Sequence, residues 1–170
     1  VEAVFFDSDN DGDMDLYVAS GGKAFSQYDY NLNDRLYLND GFGNFELSIN
    51  SINFSKPIST GTVSVSDYAL DGFEDLFIGE RFNPTVYGLP SSGYLFRNNG
   101  DNTFTNVPTK IFNDIGLITS SKWEDLDNNN YPDLVLAGEW MAIKIYLNDK
   151  GDFSKVEPFD VDSSKGLWQD

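Results

Sequence analysis

The sequence predicts an all-β fold built from β-propeller blades, each a sheet of four antiparallel strands. Three observations support this fold class. The chain repeats itself three times, each repeat alternates short β-rich runs with turns rich in Asn, Asp and Gly, and no segment keeps the helical period of about 3.6 residues. Four short strands per unit at this repeat length are the signature of a propeller blade.

The three units are recognised by their acidic segments, which align as "VFFDSDNDGDMDLYVASGG", "VSVSDYALDGFEDLFIGER" and "SSKWEDLDNNNYPDLVLAGEW". Their leading aspartates, Asp7, Asp67 and Asp125, are separated by 60 and then 58 residues. A second block follows each segment, in the order "RLYLNDGFGNFEL", "GYLFRNNGDNTFTNV" and "IKIYLNDKGDFSKV". Because two kinds of block recur in the same order, one structural unit is used three times.

Each unit divides into four predicted strands. The first strand ends at the acidic turn, and the second leaves it as "LYVAS", "LFIGE" or "LVLAG". The third strand meets the fourth ("NFEL", "TFTNV" and "DFSKV") through turns typical of hairpins. The predicted blades span residues 1–48, 62–107 and 118–156, all within one propeller domain, and residues 157–170 are interpreted as the lead-in to a fourth blade.

Composition excludes several classes of function. The formal net charge is −17 and the isoelectric point is near 4.1, so nucleic acid and anionic membranes would be repelled. The chain has no histidine and no cysteine, which excludes Ser-His-Asp or Cys-His catalysis, disulfides and an ordinary zinc site within it. No segment reaches eighteen consecutive apolar residues, so we expect no membrane insertion.

The acidic turn of unit one has the spacing of a calcium loop. Counted from Asp7, oxygen-bearing side chains stand at positions one, three, five and nine, which are Asp7, Asp9, Asp11 and Asp15. Gly12 at position six can adopt the left-handed conformation, and Asp13 at position seven would offer its carbonyl while its side chain points to solvent. Alternate oxygens converging from a tight loop suit Ca²⁺ better than Mg²⁺. An EF-hand is excluded, because Val18 occupies the position of its bidentate acid.

Units two and three repeat this pattern with differences. Unit three offers Asp125, Asp127, Asn129, the carbonyl of Tyr131 and Asp133. Unit two offers Asp67, Asp71, the carbonyl of Phe73 and Asp75, but Ala69 replaces the position-three acid, so we expect its site to be the weakest or empty. A solvated turn without metal is the alternative for any one loop, since Asp, Asn and Gly favour turns. Recurrence in register favours the metal.

These repeats resemble the FG-GAP/VCBS family, which includes the integrin α-subunit head. The segments "YPDLVLAGEWM" and "YLFRNNGDNTFTNV" resemble more closely the bacterial ASPIC/UnbV proteins and the cartilage acidic proteins, which are secreted. The resemblance implies a propeller, typically seven-bladed, with Ca²⁺ in the loop between the first two strands of a blade. It also implies that partners bind the opposite face, and that the protein is extracellular, periplasmic or on the cell surface.

Aromatic insertions lie between the second and third strands of units one and two, in residues 20–34 and 80–93. Together with Trp140 they predict a surface for a protein or carbohydrate partner, although the same aromatics can pack against neighbouring blades. Trp123, beside the third loop, is interpreted as core. The aromatics in question are Phe25, Tyr28, Tyr30, Phe82 and Tyr87.

Two classes of function fit these observations. The first is a calcium-stabilised, non-catalytic binding module whose partners include the remaining blades of a larger propeller. The second is part of a carbohydrate-active enzyme, a polysaccharide lyase or hydrolase, which would need a carboxylate pair or a basic residue beside the metal. Glu80 and Glu139 occupy matching places in two units, which favours a structural repeat over a catalytic pair.

Overall fold

The computed structural model describes residues 2–22, 29–49, 51–52, 54, 56–83, 86, 88–153, 158–161 and 166–167. These residues form three antiparallel sheets and two single-turn 3-10 helices, Tyr30–Leu32 and Lys110–Phe112. The predicted all-β class is therefore confirmed, and the sheets are consistent with propeller blades. Several predicted partner-face aromatics, namely Phe25, Tyr28 and Tyr87, lie outside the described residues.

The first two sheets follow the predicted order of strands, each strand pairing with the next along the chain. Sheet one consists of β1 (Ala3–Phe6), β2 (Asp15–Val18), β3 (Arg35–Asn39) and β4 (Phe45–Ser48). Sheet two consists of β5 (Thr60–Ser66), β6 (Asp75–Glu80), β7 (Gly93–Asn98) and β8 (Phe104–Val107).

Sheet three differs from the prediction at its fourth strand. It contains β9 (Leu117–Glu124), β10 (Asp133–Met141), β11 (Lys144–Tyr146), β12 (Phe159–Asp160) and β13 (Gly166–Leu167). The predicted strand "DFSKV" begins with an isolated bridge between Asp152 and Asp149, and residues 154–156 lie outside the described ranges. The pairing with β11 is made instead by β12, which is held by an ion pair between Lys144 and Asp160 of 2.6 Å.

The segment 157–170 was interpreted above as the lead-in to a fourth blade. In its described part, β12 pairs with β11 and β13 pairs with the end of β10. This part of the segment therefore completes sheet three. The boundaries of the predicted blades stay predictions.

The core consists of two layers, one on each face of sheet two. Leu76 and Ile78 of β6 pack with Phe6 and Tyr17 of sheet one, while the intervening Phe77 faces the core shared with sheet three. Strand β6 is buried at every residue, as expected for a strand covered on both faces. The sheets therefore stack face to face, with sheet two in the middle.

The antiparallel order of the strands places the acidic loops at one end of the sheets. Asp15, Asp75 and Asp133 are the first residues of β2, β6 and β10, so each loop closes where the second strand of its sheet begins. The turns from the third to the fourth strand lie at this same end. The connections that carry the aromatic insertions leave from the other end.

Candidate metal centres

The three acidic loops share one backbone framework. We call them loop one (7–15), loop two (67–75) and loop three (125–133), and number their positions one to nine. In loop one the carboxylate of Asp7 accepts the N–H groups of Asp11 at 3.1 Å and Gly12 at 2.9 Å. The position-one carboxylates of the other loops accept the corresponding pair of N–H groups at 2.9 to 3.1 Å. Each loop thus curls around its first carboxylate.

Position six adopts the left-handed conformation in every loop. The φ angles are 95° at Gly12, 92° at Gly72 and 72° at Asn130, as expected for glycine and asparagine. Position seven, the predicted carbonyl ligand, donates its N–H to the side chain at position five in all three loops. The role of the position-seven carbonyls of Asp13, Phe73 and Tyr131 stays a prediction.

The side chain of Asp13 differs from its expected direction. A β-carbon built on Gly41 would lie 2.4 Å from Asp13 Oδ2, so this carboxylate packs against the turn between β3 and β4. It does not simply point into solvent, because the two turns at this end of sheet one lie side by side. Gly41 has a φ of 74° and no side chain, which makes room for the carboxylate.

Carboxylates converge in loops one and three. Oxygens of Asp7, Asp9 and Asp11 lie within 4.8 Å of one another in loop one. Oxygens of Asp125, Asp127 and Asp133 do so in loop three. Among the residues that the structure describes, loop two has no such group of three. Loops one and three therefore each hold a cluster of three acids, whereas loop two does not.

Asp9 is the residue of loop one whose bonding is incomplete. Its Oδ1 atom is shielded from solvent and has no hydrogen-bond partner. Burial raises the pKa of Asp9 above its ordinary value, and the nearby carboxylates of Asp11 and Asp15 raise it further. A hydrogen bond from Asn102, in the turn between β7 and β8, opposes this rise. A cation at Asp9 would satisfy the oxygen and reverse the repulsion.

The position-nine carboxylates have a structural role at the base of the loop. Asp15 accepts the N–H of Ser8 at 3.0 Å and the N–H of Asn39 at 2.8 Å, and it also accepts the Ser8 hydroxyl. Asp133 accepts equivalent N–H groups from Leu126 at 2.9 Å and Asn148 at 2.7 Å. Both residues are buried, so they join the loop to the third strand of their sheet.

Loop two departs from this pattern at three positions. Ala69 supplies no oxygen at position three, and the N–H of Tyr68 bonds the carbonyl of Ser66 at 2.9 Å. Asp75 Oδ2 is therefore buried without a hydrogen-bond partner, and burial raises the pKa of Asp75 to about 7. Arg97 donates from Nε and Nη2 to Asp71 Oδ2, at 3.0 and 2.6 Å.

Three asparagines were missed by the sequence reasoning. Asn39 and Asn98 end the third strands of their sheets, Asn148 follows β11 by two residues, and each bonds the loop of its own sheet. The side chain of Asn98 also donates to Ser8 O in loop one at 2.8 Å, and Asn148 donates to Tyr68 O in loop two at 2.9 Å. Their recurrence in "YLN", "FRN" and "YLN" was the available signal.

At the opposite end, the acids Glu80 and Glu139 are buried, Asp34 is half-buried, and each of the three has polar partners. Glu80 lies 3.9 Å from the Lys56 ammonium, and Glu139 lies 2.7 Å from the guanidinium of Arg81. Asp34 accepts hydrogen bonds from the Tyr17 hydroxyl, the Thr60 hydroxyl and the Ser20 N–H, at 2.6 to 2.7 Å. A groove of about 530 Å³ beside Asp34 is lined in part by Tyr30, Phe54 and Lys56.

The aromatics of the insertions divide between core and surface. Tyr30 is 78% exposed and Trp140 is 59% exposed, whereas Phe82 is buried. Trp123 stacks on Tyr68 at a centroid distance of 6.0 Å and belongs to the core between sheets two and three. The predicted surface therefore retains Tyr30 and Trp140 among its described residues.

None of the helical turns within the described ranges is a long apolar helix of the kind that crosses a membrane.

The family model of the FG-GAP-like repeat matches residues 7–78 and residues 67–136. Each match begins at a position-one aspartate, and together they cover well over half of the chain. No curated protein sequence matches it. With three blade-like sheets joined through these loops, the chain belongs to the FG-GAP-like repeat family.

Proposed function

We propose that this chain is a calcium-stabilised, non-catalytic binding module of a secreted or cell-surface protein. The observation that supports calcium binding is the shielded Oδ1 atom of Asp9, which has no hydrogen-bond partner and lies within a cluster of three carboxylates. Carboxylates at such separations disfavour one another's ionised forms. A cation with a flexible shell of oxygen ligands removes that cost.

Two loops have the donors for this role. In loop one the clustered carboxylates of Asp7, Asp9 and Asp11 would hold the ion, with Asp15 and the carbonyl of Asp13 as further candidates. In loop three the holders would be Asp125, Asp127 and Asp133, with Asn129 and the carbonyl of Tyr131. When bound, calcium supplies positive charge that offsets the carboxylates. The backbone N–H groups at positions five and six orient the first carboxylate of each loop.

Calorimetric titration with calcium tests this proposal, using Asp9→Asn and Asp13→Asn as a matched pair. Both substitutions remove one negative charge from the same loop. We expect Asp9→Asn to lose the heat of one site, whereas Asp13→Asn keeps it, because the Asp13 carboxylate packs against Gly41. At a hundredfold excess over Kd, each filled site should stabilise the wild-type protein by about 2.7 kcal/mol.

The same titration can contradict the proposal. If millimolar calcium produces no heat and a chelator leaves the melting temperature unchanged, the loops are solvated acidic turns. Equal losses in Asp9→Asn and Asp13→Asn would show that net charge, and not the Asp9 ligand, governs binding.

The non-catalytic part of the proposal is supported by how the buried acids are used. Glu80 and Glu139 each lie beside a cationic side chain, and Asp34 accepts three hydrogen bonds. The alternative is that the chain is part of a polysaccharide lyase or hydrolase. Incubating the full-length parent with a polysaccharide panel, with and without calcium, tests it. New reducing ends or unsaturated products would contradict the non-catalytic proposal.

The proposed partner surface lies at the end of the sheets opposite the loops. Its support is the exposure of Tyr30, Val86, Leu89 and Trp140, since large apolar side chains are enriched in binding surfaces. Trp140 lies against the insertion of sheet two, where a β-carbon on Gly88 would be 3.5 Å from its ring. A protein or carbohydrate bound here should lose affinity on Trp140→Ala. Unchanged affinity after deletion of both insertions would exclude this face.

We also propose that the protein is located outside the cytoplasm, in the extracellular space, the periplasm or at the cell surface. Extracellular calcium modules commonly bind with Kd values of about 10⁻⁴ to 10⁻³ M, which suits loops with this number of carboxylates. The closer kinship with ASPIC/UnbV and cartilage acidic proteins, based on "YPDLVLAGEWM" and "YLFRNNGDNTFTNV", is likewise proposed.

A further inference from the structure

We propose that loop two is held by a built-in cation, the guanidinium of Arg97, and does not need calcium. This inference rests on the proposed calcium binding of loops one and three. Arg97 lies on β7, 26 residues from its partner Asp71. Its Nε and Nη2 atoms both donate to Asp71 Oδ2, so the position-five carboxylate of this loop is already paired with a positive charge.

The guanidinium is specific to unit two. Arg97 directly precedes Asn98, and the residues that precede the equivalent asparagines are Leu38 in unit one and Leu147 in unit three. The same unit has Ala69 where the other loops have an aspartate. Loop three has an asparagine at position five, so it offers as many acids at positions one, three, five and nine as loop two does. Loop two differs because its position-five acid is paired with a guanidinium, which lowers its need for an external positive charge.

The effect of Arg97 extends beyond Asp71. Its charge also lowers the pKa of Asp75, although burial dominates and keeps that pKa raised. Loop two contains four carboxylates: Glu74 accepts the N–H of Asp7 at 3.1 Å, and Asp67, Asp71 and Asp75 do not form a cluster of the kind seen in loops one and three. The guanidinium thus offsets part of the loop's charge where calcium would otherwise be required.

Loop two nevertheless retains most of a calcium site. Its backbone framework matches the other loops, with Asp67 accepting the N–H groups of Asp71 and Gly72 at 3.0 and 2.9 Å. Asp75 Oδ2 has no hydrogen-bond partner and is available as a ligand. Gly151, which has no side chain, lies beside Ala69: a β-carbon added to Gly151 would be 3.7 Å from Ala69 Cα and 3.9 Å from Ala69 Cβ. Two substitutions should therefore rebuild the site.

The test is the number of calcium ions bound per chain by the wild-type protein and by Ala69→Asp combined with Arg97→Leu. We expect two ions for the wild-type protein and three for the double variant, with the fold checked by circular dichroism. Three ions in the wild-type protein would overturn the inference. A correctly folded double variant that still binds two would overturn it as well.

A second measurement does not depend on calcium. In chelator, Arg97→Leu should lower the melting temperature by about 1 to 2 °C, the size expected for a half-exposed ion pair, and high salt should shrink the difference. Lys122→Leu is the control, because it removes one positive charge from an exposed residue of β9 that makes no ion pair with another described residue, so it should not show this pattern. If the wild-type protein binds no calcium, the proposed function fails, and the melting temperatures in chelator alone decide the role of Arg97. An unchanged melting temperature in Arg97→Leu would then overturn the inference about Arg97.

Discussion

Asp34 is a half-buried carboxylate where the first two sheets meet, and it accepts hydrogen bonds from Tyr17, Ser20 and Thr60. These three donors favour the ionised form, and so does the nearby Arg35 charge. Burial nevertheless dominates and raises the pKa of Asp34 to about 6. The structure therefore tolerates this charge at neutral pH at some cost in stability.

The pH dependence of stability should report this residue. Since the folded-state pKa of Asp34 lies above the unfolded value of 3.8, the folded protein takes up a proton first. Through this group, the free energy of unfolding should fall as pH rises from about 4 to about 6, by at most about 3 kcal/mol, and stay level above pH 7. Urea unfolding of the wild-type protein and Asp34→Asn at pH 4.5 and 7 measures it.

Comparison with a matched variant isolates the contribution of Asp34, because other carboxylates titrate in the same range. Asp114 is exposed and has a φ of 52°, a conformation that asparagine tolerates well, so Asp114→Asn serves as the control. The control should follow the wild-type pH profile. If Asp34→Asn also follows the wild-type pH profile, Asp34 does not contribute to the pH dependence of stability, and the prediction is wrong.

At the scale of elements, neighbouring sheets are joined by Asn98 at the end of β7 and by Asn148 just after β11. Asn148 is fully buried, donates to Tyr68 O and Pro132 O at 2.9 Å, and accepts the Gly151 N–H at 2.7 Å. Through Tyr68 it connects sheet three to loop two. Asn98 makes the same kind of connection from sheet two to Ser8 in loop one.

Truncation of these asparagines should have graded effects on stability. Asn148→Ala leaves several buried groups without partners, so it should cost about 2 to 4 kcal/mol of unfolding free energy. Asn39→Ala should cost about 1 kcal/mol, because Asn39 bonds only its own sheet at 3.2 to 3.3 Å from a partly exposed position. Urea unfolding at one calcium concentration compares the two. Equal costs would show that the bonds between sheets add nothing.

At the scale of the whole molecule, the described residues cover the middle sheet on both faces and the outer sheets on one. Phe104 of sheet two is 7% exposed because it packs against Phe6. Phe45 takes the corresponding place in sheet one and is 43% exposed, beside Phe5 at 60%. The free face of sheet one thus has the apolar character that sheet two uses to contact its neighbour.

This face should drive association of the purified 170-residue chain, since it suits another sheet of the same repeat. We expect light scattering to show oligomers whose proportion rises with concentration. Phe5→Ser combined with Phe45→Ser should reduce them with little change in stability, because both side chains are exposed. Phe42→Ser is the control, since Phe42 is 91% exposed and lies in the turn between β3 and β4, outside the strands that form this face. A monomeric wild-type protein at high concentration would contradict the prediction.

Much of the fold and of the candidate site could be predicted from the sequence, because their signals are local and repeat in register. The nine-residue spacing from Asp7 to Asp15 specifies a turn between two strands, and Gly12 and Asn130 adopt the left-handed conformation expected of them. Alternation and turn chemistry likewise predict four strands in each of the first two units. Such features depend on backbone geometry within a few residues, so neighbouring residues are enough to reveal them.

Other features were decided only by tertiary structure, because they join residues that are distant along the chain. Arg97 reaches Asp71 from another strand of sheet two, and Asp34 meets Thr60 only when sheets one and two pack. The fourth strand of sheet three is likewise β12, whose Asp160 is 16 residues along the chain from its partner Lys144 in β11. The sequence by itself determined the repeat, the strands and the shape of each loop. Strand pairing within sheets and packing between them decided which distant side chains meet, and hence how the charge of loop two is balanced.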